Sequence, residues 1–107
     1  MAKTAASSPI TAKEIVGVIL RDYGPVEKVI LFGSRARGNA DESSDLDLIV
    51  VKNTDKPFVR RLVDAPYFSI HSDIFVYTPK EFEQMQENEN PFVMNALEHG
   101  VVLYPAS

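Results

Sequence analysis

Residues 31–50 read LFGSRARGNADESSDLDLIV, and the rest of the chain is best understood outward from them. Residues 26–32 are rich in β-branched and aliphatic side chains and end at Gly33, the pattern of a buried strand. About a dozen residues after Ser34 a second apolar run, residues 46–51, is led in by Asp45, Leu46 and Asp47. Side chains two apart in a strand share a face. Asp45 and Asp47 therefore stand side by side, while Leu46 and Leu48 point to the other face and into the core.

Two carboxylates about 4–5 Å apart repel by roughly 3–4 kcal/mol at an effective dielectric of about 20. A fold tolerates such a pair when one acid is protonated, when basic groups neutralise it, or when a cation sits between them. Oxygen donors alone suit a hard ion, Mg²⁺ or Mn²⁺, and Mg²⁺ commonly combines one or two carboxylates with phosphate oxygens. Gly33 and Ser34 supply a complementary half. Glycine at a strand end lets the backbone approach a ligand, and a helical turn beginning at Ser34 would present free amides and a hydroxyl to an anion. Phosphates held between the two halves describe an activated nucleotide. A two-metal site needs a further carboxylate near the attacking group. Asp73, in the third strand read over residues 70–77, is the candidate, both as a metal ligand and as general base.

Around this centre the chain alternates helix and strand signals. Thr11 and Glu14 form a capping box ahead of a helix that uses Ile15, Val18 and Ile19 as its apolar face, and Gly24 with Pro25 stops it. Residues 57–64 read as a brief helix. Thr78 and Glu81 make a second capping box with Pro79 at the first helical position, and Asn90 with Pro91 starts another helix that Gly100 closes. Phe92, Val93, Ala96 and Leu97 form a core stripe, and residues 101–104 are a last extended run. This predicts one small α/β (α+β) domain over residues 11–107, a mixed β-sheet flanked by helices, preceded by a flexible tail at residues 1–10. His71 reads as a strand-edge surface residue. Glu81, Glu83, Glu87 and Glu89 read as a solvated helix face.

The composition sets limits on partners. With 107 residues, 11 Lys plus Arg and 15 Asp plus Glu, the formal charge is −4. That balance argues against gripping nucleic acid through its phosphates. The absence of cysteine excludes thiolate chemistry and disulfides. No apolar run reaches the roughly 18 residues of a membrane span, and the first nine residues lack an apolar signal core, so a cytoplasmic protein is expected.

Gly33 and Ser34, then Asp45 and Asp47 after about a dozen residues, then Asp73 on a later strand, resemble the polymerase-β-type nucleotidyltransferase superfamily. The short chain, and the run DIFVYTPKEFE from Asp73 to Glu83, resemble its minimal nucleotidyltransferase (MNT) branch. The resemblance covers residues 11–104. It implies the polymerase-β-like fold, with Mg²⁺ or Mn²⁺ as the ion and ATP or another NTP as co-substrate. Gly33 and Ser34 would lie on the nucleotide phosphates, Asp45 and Asp47 on the metals, with Asp73 as third carboxylate and base. Arg35 and Arg37, beside the phosphate site, are read either as cofactor-binding charge stabilisers or as ordinary surface charges. Residues 52–69 look shorter than the corresponding segment of many members.

The resemblance also implies a partner, a helical HEPN-type toxin to which such an antitoxin transfers AMP on a tyrosine. Two alternatives stand beside transfer to protein. One is a non-catalytic antitoxin that inhibits its partner by contact, and the other is transfer to a small molecule of antibiotic type. Self-association would be one way to complete so small a domain.

Overall fold

The computed structural model describes residues 11–33, 36, 45–63, 68 and 71–105. Thr11 caps the first helix, α1 (Ala12–Asp22). Its hydroxyl accepts from the Glu14 amide at 3.1 Å, and the Glu14 carboxylate accepts from the Thr11 amide at 2.8 Å. Both reciprocal bonds of the capping box are therefore made, and two otherwise orphaned amides are satisfied. Helix α1 buries Ile15 and Ile19, the face expected from their spacing.

Strand β1 (Lys28–Phe32) pairs antiparallel with β2 (Leu46–Val51), and β2 pairs parallel with β3 (Ser72–Tyr77). Helices α2 (Pro79–Glu87) and α3 (Pro91–His99) follow, and β4 (Val101–Tyr104) returns antiparallel to β1. The sheet order is β3-β2-β1-β4, the mixed sheet flanked by helices that the sequence predicts.

Strand β2 is buried on both faces, as its near-continuous apolar run demands. Leu46, Leu48 and Val50 pack with Val29, Val76 and α1. On the opposite face Ile49 and Val51 join Ile30 beneath Phe82 of α2 and Val93 and Ala96 of α3. The two faces thus carry separate cores, and Asp47 belongs to the face covered by α2 and α3. Gly100 permits the last reversal. A Cβ there would lie 2.8 Å from the Leu31 carbonyl oxygen and would also overlap the Ala96 carbonyl, so only glycine lets α3 end so close to β1.

The connection from β2 to β3 departs from expectation. The brief helix expected over residues 57–64 is confined to a 3₁₀ helix, Phe58–Arg60, followed by a turn through Val63, with Asp64 outside the described residues. A side chain, more than helix propensity, holds this segment. Arg61 is 6% exposed and donates to the carbonyls of Lys56 (2.8 Å) and Val76 (3.0 Å) and to both carboxylate oxygens of Glu81. The Tyr23 hydroxyl donates to the Arg61 carbonyl at 2.5 Å. The guanidinium therefore ties the crossover, β3 and the start of α2 together, and the Arg61 backbone carbonyl adds the cap of α1 through Tyr23. Glu81, though partly solvated, is accordingly more than one charge of a solvated helix face. It closes the α2 capping box with Thr78 and neutralises Arg61, which pulls its pKa down to about 2.

The remaining boundaries differ by a few residues. β1 begins at Lys28 rather than residue 26, although the Glu27 amide already donates to the Val51 carbonyl. β3 begins at Ser72, with Ile70 outside the described residues, as are residues 1–10, the expected tail.

Candidate active site

The topology brings three chain ends together. Because β1 runs against β2 while β2 and β3 run together, the end of β1 meets the beginnings of β2 and β3. Phe32 is the register partner of Asp47, and Asp47 is the register partner of Asp73. Asp73 thus stands directly beside Asp47, as it should if the third strand neighbours the second. Asp45 lies just before β2, two residues from Asp47 and on its side of the strand.

The same alternation applies to β3. His71 precedes Asp73 by two residues, and its carbonyl accepts from the Leu46 amide at 2.9 Å. That bond continues the β2–β3 ladder and sets His71 across from Asp45, with Nδ1 3.2 Å from the Asp45 Oδ1. The four side chains form a block two wide and two deep, Asp45 and Asp47 on one strand facing His71 and Asp73 on the other. One donor atom each from Asp45, His71 and Asp73 lies within 4.8 Å of the others. His71 is exposed, as a strand-edge residue should be, but it is also a member of this cluster, which the sequence reading did not assign. Its spacing of two from Asp73 signals a shared strand face, while its place across from Asp45 is set by the β2–β3 register.

Gly33 roofs the block. Its φ is +80°, a conformation that L side chains rarely adopt. A Cβ at this position would overlap Asp47 Oδ2 and lie 3.3 Å from Asp47 Cγ. The Ala36 amide donates to the Gly33 carbonyl at 3.1 Å, closing a turn directly after β1. Ser34, Arg35 and Arg37 fall outside the described residues, as does Ser44.

Below the carboxylates lies an aromatic cluster. Phe32 and Phe75, the inward neighbours of Gly33 and Asp73 on this face, meet Phe92 of α3 at ring-centre distances of 5.3 and 5.0 Å. Asp47 is only partly exposed at the edge of this apolar floor. Burial raises its pKa above the ordinary carboxylate value, and the charges of Asp73 and Asp45 and a hydrogen bond with Asp73 push it further in the same direction. His71 opposes the shift. An acid held up by desolvation and by two neighbouring acids is a group whose ionised form a cation would stabilise strongly. This acid-rich set fits a hard divalent ion: the donor atoms that converge are those of Asp45, His71 and Asp73, all exposed, and Asp47 beside Asp73 could add a further carboxylate.

Residues 14–107 match the family model described as polymerase beta, nucleotidyltransferase. The chain belongs to the polymerase β nucleotidyltransferase family. It is a nucleotidyltransferase of the minimal, MNT-like kind. Two relatives from Methanocaldococcus jannaschii (strain ATCC 43067 / DSM 2661 / JAL-1 / JCM 10045 / NBRC 100440) carry the name "Putative protein adenylyltransferase". MJ0604 is 34% identical over 93 residues, which is 86% of this chain and 93% of the relative. MJ0141 is 42% identical over 67 residues, or 60% of this chain and 66% of the relative. Among solved structures, one described as "Crystal structure of the toxin-antitoxin with AMP-PNP" superposes with a TM-score of 0.58 at 14% identity. The match covers 92% of this chain and 76% of that one, a likeness of fold. Among the described residues, no helix of this nucleotidyltransferase is long and apolar enough to cross a membrane.

Proposed function

We propose that this nucleotidyltransferase moves AMP from ATP to a hydroxyl of a protein partner, a tyrosine of a helical HEPN-type toxin, and so acts as its antitoxin. The observation that carries the reading is the pairing of Asp47 with Asp73 directly beneath Gly33. Acids brought this close repel each other, a cost that a bound cation beside a phosphate would offset. The relatives named as protein adenylyltransferases support protein as the acceptor, and the structural neighbour described as a toxin-antitoxin supports a toxin as partner.

In this reading the acceptor hydroxyl attacks the α-phosphorus of ATP in line. A new O–P bond forms, the bond to the bridging α,β-oxygen breaks, pyrophosphate leaves, and the hydroxyl proton passes to Asp73. Gly33, Ser34 and the adjoining turn bind the phosphates, with Arg35 and Arg37 offsetting charge on the transferring group. Asp45, Asp47 and Asp73 hold divalent cation, Mg²⁺ or Mn²⁺, which when bound neutralises charge on the attacking and leaving oxygens. The remaining contribution of the chain is positioning.

Inhibition by contact alone is the second reading. It is favoured by the exposed apolar cluster Phe58, Val59, Leu62 and Val63 in the crossover, a surface suited to a partner. One experiment separates the two. The protein is incubated with Mg-ATP and the product of its neighbouring gene, and the partner's intact mass is measured. Transfer predicts a gain of one AMP that Asp47→Ala abolishes. Neutralisation of the partner by Asp47→Ala with no mass change would establish contact inhibition instead.

A further inference from the structure

We propose that His71 is a direct nitrogen ligand of the divalent-cation centre, and that it biases this centre toward Mn²⁺ over Mg²⁺. The inference rests on the metal site proposed above and adds to it a donor of a different chemical kind. Three observations carry it. His71 is the one member of the four-residue block that is not an acid, and it occupies the corner across from Asp45, with Nδ1 3.2 Å from the carboxylate. Its backbone is fixed, because its carbonyl accepts from the Leu46 amide within the strand ladder. Its donor atom lies within 4.8 Å of donor atoms of both Asp45 and Asp73. An ion bound at about 2.1 Å holds donors on opposite sides roughly 4.2 Å apart, so small side-chain rotations close the set.

The chemical consequence follows from ligand type. Mg²⁺ dehydrates reluctantly and strongly favours oxygen, whereas Mn²⁺, although also suited to oxygen donors, is a transition-metal ion that accepts imidazole nitrogen more readily than Mg²⁺ does. A site of carboxylates alone has little reason to discriminate between Mg²⁺ and Mn²⁺. Replacing one oxygen position with imidazole nitrogen favours Mn²⁺. If His71 only balanced the charge of Asp45, it would hydrogen-bond to the carboxylate from outside the coordination sphere and leave ion preference unchanged.

The test uses Mn²⁺ with a non-hydrolysable ATP analogue and protein labelled with ¹⁵N at histidine. Pulsed electron paramagnetic resonance reads coupling between Mn²⁺ and ¹⁵N, and Mg²⁺ competition reads the relative affinity. The proposal expects ¹⁵N coupling in the wild-type protein and its loss in His71→Ala. It also expects the Mn²⁺ to Mg²⁺ affinity ratio to fall at least roughly tenfold in that variant, by analogy with the 10–100-fold cost of altering a ligand's immediate support. His99→Ala is the control and should keep the coupling. Mn²⁺ binding that depends on Asp47 but shows no ¹⁵N coupling overturns the role of His71 and leaves the carboxylate site standing. Failure of Mn²⁺ to bind at all, with wild type and Asp47→Ala alike, overturns both.

Discussion

The carboxylate of Asp47 occupies the volume that a side chain on Gly33 would need. The turn after β1 and the central acid of β2 are therefore fitted to each other, and a side chain at residue 33 would have to displace the Asp47 carboxylate. Gly33→Ala would meet two penalties, a positive φ costing about 1–2 kcal/mol and an overlap with Asp47 Oδ2. We expect the variant to lose stability by about 2 kcal/mol in denaturant titration. In an Asp47→Ala background the overlap disappears, and the cost of Gly33→Ala should drop to the backbone component. Equal costs in both backgrounds would show that the two residues do not interact.

Asp47 also predicts an unusual pH dependence of the metal-free protein. Its folded-state pKa is raised, so its contribution to stability is fully present below the ordinary value of 3.8 and is lost as pH rises through the raised value. Asp47→Asn removes that loss. Without metal, the variant should melt at a higher temperature than wild type at pH 7, and the two curves should converge below the ordinary carboxylate range. Thermal unfolding monitored by circular dichroism across this pH range checks the sign. A lower melting temperature for Asp47→Asn at pH 7 would mean that the acid stabilises the fold rather than straining it.

Arg61 and Glu81 give the opposite sign at acid pH. Glu81 is lowered to about 2, so the stability it contributes is present above its ordinary 4.5 and is lost as pH falls toward 2. Its side chain is 44% exposed, and solvent screening keeps its share modest, about 1 kcal/mol for Glu81→Gln. Arg61→Ala should cost more, about 3 kcal/mol, because the carbonyls of Lys56 and Val76 and the Glu81 carboxylate all lose their donor together. Chemical denaturation of the two variants tests the ordering. Equal losses would argue that the carbonyl contacts contribute little.

The parts of this architecture that are legible in the sequence are those fixed locally. The capping residues Thr11, Thr78 and Asn90, the alternation in residues 45–51 and the stop at Gly33 act over a few residues, and the elements they predict are present. The pairing of Asp73 with Asp47 follows once the strands are taken as neighbours. What escapes is set by contacts across the fold. Arg61 sits in an unpatterned stretch, and its partners lie 5, 15 and 20 residues away. Nothing in its surroundings marks it as buried. Glu81 has two simultaneous roles, and its capping role hides its role as the partner of Arg61. The membership of His71 in the site depends on the register between β2 and β3, which sequence spacing alone does not supply.

The central claim is that the block beneath Gly33 transfers the nucleotidyl group of ATP to a partner protein. It is tested most directly by incubating protein and partner with Mg²⁺ and ATP radiolabelled at either the α- or the γ-phosphate. The account predicts label on the partner from the α-position only, lost in Asp47→Ala and in Asp73→Ala. Label from the γ-position, or α-label that survives both substitutions, would contradict it.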